Sequence, residues 1–136
     1  MTSETYPQFL LALCIWREAR GQSRLAKLGV KHVILNRVAE PKGPYRKCSD
    51  LVRTILAPYQ FSSFLRADLN SSRLPDPNSA GDWKAWLECC DVVDSTEPDP
   101  TGGATHYFSV DIMPPAWAEP SMFTKAIGAF RFFRIP

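Results

Sequence analysis

Cys14-Ile15-Trp16-Arg17-Glu18-Ala19-Arg20-Gly21-Gln22 closes an apolar helical run with a carboxylate and, one turn on, a glycine. The residues before Glu18 belong in a core, whereas the polar stretch Ala19 to Ser23 suits the edge of a cleft. A carboxyl group at such a boundary is able to keep a proton near neutral pH and donate it, because burial disfavours the charged form. From spacing alone the plainer reading is a surface carboxylate in a last helical turn, paired with Arg17 or Arg20.

Upstream, Pro7 suits a first helical turn, and Phe9, Leu10, Leu13, Cys14 and Arg17 recur at helical spacing, so a first helix is predicted over Tyr6 to Ala19. Downstream, Ser23 is the expected N-cap of a second helix from Arg24 to about Val38. Its apolar side holds Leu25, Leu28, His32 and Leu35, with Val30, Val33 and Ile34 beside them. His32 there reads as a satisfied core histidine, and Gly29 as a point of close approach for the first helix. Pro41-Lys42-Gly43-Pro44 ends the pair in a turn.

Ser49 or Asp50 caps a short third helix through Leu56, and Ser71 to Gly81 reads as a long surface loop. Asp82 or a neighbour then opens a fourth helix, Trp83 to about Val93, with Trp83, Trp86, Leu87 and Cys90 as its buried stripe. After Gly103 the period changes. Thr105 to Val110 and Ala129 to Phe133 have strand composition, and the connection between them carries Pro114-Pro115, Trp117 and Pro120. Two strands do not stand alone in water, so they should pair and pack on the helices. No repeat or linker divides the chain, and residues 1–136 are expected to form one domain.

The chain has 136 residues and a formal net charge of +2, too small to indicate nucleic acid. No stretch reaches the roughly 18 apolar residues of a membrane span, so membrane insertion is not expected. Met1 to Gln8 lacks a signal peptide's basic start. Synthesis in the cytoplasm is therefore expected, with any action outside the cell needing non-classical export or a separate membrane-permeabilising partner. Cys14, Cys48, Cys89 and Cys90 match no metal framework and read as buried reduced thiols. With only His32 and His106, metal ligands are scarce, and no Gly-x-Ser-x-Gly elbow supports a serine triad.

Several segments, in order, carry a resemblance. They are Trp16 to Gln22; Gly29-Val30 through Val33-Ile34-Leu35-Asn36-Arg37-Val38; Gln60-Phe61-Ser62; Pro100-Thr101-Gly102-Gly103-Ala104-Thr105-His106-Tyr107-Phe108; and Ile127-Gly128 before the aromatic strand. Over Phe9 to Phe133 the chain resembles the spore-cortex-lytic (SleB-type) cell-wall hydrolases, peptidoglycan-cleaving proteins related to lytic transglycosylases. The resemblance implies an α+β, lysozyme-like fold, mainly helical, with a small antiparallel β-sheet beside the cleft. It also implies that Glu18 is the catalytic acid and that Gln60, Ser62, Thr101 and Gly102 line the glycan cleft. Family members commonly have Gly-Glu after the arginine, where this chain has Gly21-Gln22. A compact domain of this kind, without a leader or wall-binding module, resembles a phage or prophage lysis enzyme served by a holin or a secretion system.

The chemistry also has to hold without the resemblance. Inverting hydrolysis needs a second carboxylate about 6.5–9.5 Å from the acid. Asp68, Asp76, Asp99 and Asp111 are the loop candidates, and none stands in a helpful motif. The expectation is therefore lytic transglycosylation of the MurNAc–GlcNAc β-1,4 bond, with apolar neighbours such as Trp16 raising the Glu18 pKa and no cofactor required. A hydrolytic muramidase using the same glutamate and a non-catalytic glycan-binding domain are the alternatives. Residues alternate faces along a strand, which sets His106 and Tyr107 on opposite sides. Tyr107 is the better cleft residue, able to bond the substrate or pack on a sugar ring. Asn36 and Arg37 are expected to be structural, orienting the helix pair or bracing the Gln60 loop. Tyr45, Tyr59, Trp117 and Phe123 read equally as glycan platforms or loop filling.

Overall fold

The computed structural model describes residues 5–40, 50–56 and 73–136. Helix α1 (Tyr6–Ala19) opens with a reciprocal capping box: the Thr5 hydroxyl accepts from the Gln8 backbone, and the Gln8 side chain accepts from the Thr5 N–H. An unbroken buried run from Leu10 to Arg17 makes α1 the central helix, enclosed by its neighbours instead of presenting one apolar stripe. Helix α2 (Arg24–Ala39) begins at the predicted Ser23 cap. Helix α3 (Leu51–Leu56) follows Asp50, whose carboxylate accepts from the Arg53 N–H. Of the two caps considered for α3, Ser49 lies outside the described residues.

Helix α4 (Ala80–Asp94) differs from expectation in two ways. Ser79 caps it, accepting from the Asp82 N–H, so the helix starts three residues early and takes Gly81 into its first turn. Its buried residues are Trp86, Cys89, Cys90 and Val92, while Trp83 and Leu87 point outward at 41% and 44% exposure. The reason is packing on α1. The small thiols Cys89 and Cys90, both fully buried, sit where α4 meets the core. On α2, likewise, Leu25 is exposed, and His32 is a partly exposed residue whose Nε2 meets the Glu97 carbonyl oxygen at 3.1 Å. Lys27 and Lys31, outside the expected apolar side of α2, are buried as well. The Lys31 Nζ caps the end of α4 by donating to the carbonyls of Val92 and Ser95.

Strand β1 (His106–Ser109) and strand β3 (Phe130–Phe133) form as expected and pair antiparallel. Between them lies a third strand, β2 (Phe123–Ile127), in what reads from the sequence as connection. The order is β1-β3-β2, all antiparallel, with an irregularity between Phe123 and Lys125. Pro120 and the mostly exposed pattern of β2 hid this edge strand, since edge positions carry little of the apolar alternation that marks a strand. Pairing β3 on both sides puts Phe132 at the centre of the sheet, fully buried. Gly29 is a point of close approach, but its partner is this sheet and not α1: a Cβ there would come to 2.5 Å from the tip of the Phe132 ring.

Among the described residues, four helices around one core with a small antiparallel sheet make a mainly helical α+β domain, as the lysozyme-like reading requires. Among the described residues, no helix is long and apolar enough to cross a membrane. Cys14, Cys89 and Cys90 are buried, and Cys48 lies outside the described residues. Burial pushes the Cys89 thiol up to about 12, so it is inert as a nucleophile.

Candidate active site

Glu18 stands in the last turn of α1, partly buried, where the central helix leaves the core. The sheet reaches it from the other side. Tyr107 in β1 donates its phenolic O–H to Glu18 Oε1 at 3.0 Å. Its ring packs against Phe130 and Phe132 with centroids 5.1 and 5.8 Å away. Burial first, then the nearby Glu18 carboxylate, push the Tyr107 phenol well above its usual range. Tyr107 therefore remains a donor, and it holds one carboxyl oxygen of Glu18 in a fixed direction.

The arginines flanking Glu18 brace the same corner. Arg17 Nε donates to the Arg73 carbonyl at 2.9 Å, tying α1 to the segment before α4. Arg20 donates to the carbonyls of Trp16 and Arg17 and lies over the Trp16 ring at 4.5 Å, a cation–π contact that closes the helix end. Gln22 extends this corner to the β2–β3 turn: its side-chain oxygen lies 3.5 Å from where a Cβ on Gly128 would stand. Gly128 has φ of 55°, a left-handed conformation that favours glycine.

His106 takes the opposite side from Tyr107, with its ring 4.9 Å from that of Trp117. Trp117 also packs edge-on against Phe133 and Phe108, and Phe123 against Phe133. Both aromatics left open between glycan platform and loop filling thus pack on the sheet, while Tyr45 and Tyr59 lie outside the described residues.

The Thr101-Gly102-Gly103 segment is built around Asp99, which accepts four hydrogen bonds. Oδ1 takes the Thr101 N–H at 2.7 Å and the Thr101 hydroxyl at 2.6 Å; Oδ2 takes the Gly103 N–H at 3.1 Å and Asn36 Nδ2 at 3.0 Å. Asn36 also donates to the Ala104 carbonyl, and Arg37 Nε donates to the Thr105 carbonyl at 2.6 Å. Asn36 and Arg37 are thus structural, but what they anchor to α2 is the loop leading into β1. Thr101 is fully buried with its hydroxyl used inside the loop, whereas Gly102 is exposed with φ of 71°. Gln60 and Ser62 lie outside the described residues, as does Asp68. Asp99 as an organiser went unseen because an Asp-x-Thr turn resembles any polar loop until Asn36 is brought to it from 63 residues away.

The other carboxylates considered as second catalytic groups serve their own turns. Asp76 accepts from the Asn78 N–H, and Asp111 accepts from the Ser109 hydroxyl. Among the described residues, no group of three or more His, Cys, Asp or Glu side chains is arranged to hold a metal ion.

Two groups give the fold an acid sensitivity. Burial, and then the nearby Arg37, pull the His106 pKa down to about 4. Between 6.5 and about 4 the unfolded chain therefore binds a proton that the folded one refuses, and stability falls as pH falls through that window. Burial raises the Asp99 carboxyl, but its hydrogen bonds from Asn36, Thr101 and Gly103 outweigh this and hold it below 3.8. Its contribution is present above pH 3.8 and is lost below it. The melting temperature should drop from pH 6.5 to 4, and His106→Gln should flatten that part of the profile while leaving the loss below pH 3.8. An unchanged slope in the variant would assign the acid loss to other groups.

Known proteins are similar to this chain in sequence and fold. A family model described as cell wall hydrolase matches residues 21–133, beginning three residues after Glu18. The spore cortex-lytic enzyme of Halalkalibacterium halodurans is 30% identical over 123 residues, which is 90% of this chain and 33% of that protein. The chain thus spans about a third of that relative's length. Two solved structures are also similar. The catalytic domain of Bacillus cereus SleB is 30% identical with a TM-score of 0.63, over 92% of this chain and 87% of the other. The catalytic domain of the germination-specific lytic transglycosylase SleB from Bacillus anthracis is 29% identical with a TM-score of 0.64, over 92% and 91%.

Proposed function

The chain belongs to the cell wall hydrolase family, and on that premise we propose that it is a peptidoglycan lytic transglycosylase with Glu18 as acid and base. The observation that carries the proposal is the Tyr107–Glu18 hydrogen bond. It joins the end of the central helix to the sheet at a carboxyl group that is partly buried, a placement that suits a glycosidic acid.

The mechanism follows from one carboxyl group. Glu18 donates its proton to the glycosidic oxygen between MurNAc and GlcNAc as the C1–O4 bond breaks, and positive charge develops on the muramoyl ring. The 6-hydroxyl of the same muramoyl residue attacks C1. Its proton passes to the Glu18 carboxylate, which restores the acid and leaves a 1,6-anhydro end. No water is consumed. Among the described residues, the candidates Asp76, Asp99 and Asp111 are engaged in their own turns, which supports a route in which Glu18 acts alone.

Tyr107 holds Oε1 and so steadies the carboxyl group through both proton transfers. Gln60, Ser62 and the exposed backbone at Gly102 are the proposed sugar contacts; Thr101, turned inward, acts on the glycan by shaping that backbone. Delivery to the wall through a holin or a secretion system remains part of the same proposal.

Tyr107→Phe isolates the hydroxyl, because the ring keeps its packing on Phe130 and Phe132. Solubilisation of purified sacculi should slow by about tenfold or more, while stability changes by only about 1 kcal/mol. An unchanged rate would remove Tyr107 from the site. The broader reading is tested by incubating the protein with purified peptidoglycan and following both retention and release. An enzyme releases soluble muropeptides; retention without release would make it a glycan-binding domain.

A further inference from the structure

The outward face of α4 carries a groove that the cleavage site does not use. Trp83 and Leu87, one turn apart on that face, expose 41% and 44% of their surface. The groove they line has a volume of about 720 Å³, within the range of about 300–1,000 Å³ typical of small-molecule sites. An exposed indole is unusual for a residue that is ordinarily well buried, and it invites an occupant.

Charge narrows the class of occupant. The groove is lined by two cations, Arg24 and Lys84, and two carboxylates, Glu88 and Asp91. Arg24 is paired with Asp91 at 2.6 Å, and Glu88 with Lys27 at 3.3 Å. The rim therefore presents little net field and many hydrogen-bonding groups around an aromatic plate. A polyanion would find no basic stripe there. An uncharged, hydroxyl- and amide-rich ring would find both an apolar face and polar partners.

Position narrows it further. A neighbouring cavity of about 410 Å³ shares Arg24 and Glu88 with the groove and is lined by Gln22. Gln22 in turn donates its N–H to the Ala19 carbonyl, one residue past Glu18, and its side chain lies against the Gly128 turn. Polar surface thus continues from the groove to the corner of the cleavage site.

We infer that the Trp83–Leu87 groove on α4 is a second carbohydrate site that holds N-acetylated sugar rings of the same wall polymer whose bond is cut at Glu18. The inference rests on the glycan reading above. Trp83 supplies the stacking surface, and Asn78 with the Arg24–Asp91 pair lies along the same groove to bond sugar hydroxyls and acetamido groups. A long strand would engage both sites, and a short fragment only one.

The test places Trp83→Ala in the Glu18→Gln background, so that binding to purified sacculi is measured by cosedimentation without cleavage. The apparent Kd should rise about tenfold, the size expected for truncating an aromatic anchor. Trp83→Phe should restore most of the binding. Leu87→Gln, one turn away, should repeat the loss and carries the test if Trp83→Ala alters the fold. In the active background, the ratio of activity on sacculi to activity on soluble short muropeptides should fall by a similar factor.

Unchanged sedimentation of Trp83→Ala and Leu87→Gln would overturn the inference, as would a concentration-dependent dimer that Trp83→Ala abolishes. The two readings fail separately. Trp83-dependent binding without muropeptide release keeps the groove and removes the enzyme. Release that is indifferent to Trp83 keeps the enzyme and removes the groove.

Discussion

Glu18→Gln is expected to fold as the parent does and to lose activity on peptidoglycan by about a hundredfold to ten-thousandfold, the usual contribution of a positioned general acid. The amide keeps the shape of the carboxyl group and accepts the Tyr107 hydrogen bond through its oxygen. What it lacks is a proton to give to the leaving oxygen and a base to take one from the attacking hydroxyl. Because Glu18 is only partly buried at the end of α1, the substitution leaves the core run from Leu10 to Arg17 untouched. The melting temperature should therefore stay close to that of the parent while the rate collapses. A variant that loses rate and stability together would indicate a structural glutamate.

The largest stability effect is expected at Phe132. This side chain is fully buried in the central strand, with its tip against Gly29 of α2 and its ring beside Tyr107 and Phe130. Phe132→Ala should cost about 3–5 kcal/mol, through lost burial and the cavity left behind. A domain holds about 5–15 kcal/mol in total. For a chain of this length the loss corresponds to a drop of about 10–18 °C in melting temperature. Activity should fall as well, because the ring that steadies Tyr107, and through it Glu18, is gone.

The close approach at Gly29 allows a sharper check of the same packing. Gly29→Ala alone overpacks the Phe132 ring and should destabilise by about 1–3 kcal/mol, less the gain of up to about 1 kcal/mol for alanine over glycine in a helix. In the Phe132→Ala background the new methyl group has room, and the same change should stabilise. A double-mutant cycle read by denaturant unfolding should show this change of sign. Additive effects would mean that the two positions do not touch.

The helices were legible where the signal is local. The Ser23 cap and the helical spacing around Pro7 and Phe9 set α1 and the start of α2 because capping and periodicity act within a few residues. The buried face of α4 was legible only in part: Trp86 and Cys90 turn inward as expected, and Trp83 and Leu87 do not. Trp83 and Leu87 are as apolar as Trp86, and which side turns inward is decided by the packing of α4 on the core, where Cys89 and Cys90 are buried. Strand β2 was hidden because an exposed edge strand lacks an apolar alternation, and its existence depends on β3 being there to pair with it.

The candidate site divides the same way. Glu18 stands out at the end of an apolar run, and Tyr107 follows from strand alternation, but their meeting is a contact across 89 residues that no local pattern encodes. Asp99 reads as a loose loop carboxylate until the fold brings Asn36 to it.

The measurement that bears most directly on the central claim is mass spectrometry of the soluble products from purified peptidoglycan, with wild type and Glu18→Gln run in parallel. The expected result is 1,6-anhydromuramoyl ends from the wild type and none from the variant. Reducing muramoyl ends from the wild type, or anhydro ends from both proteins, would contradict a lytic transglycosylase centred on Glu18.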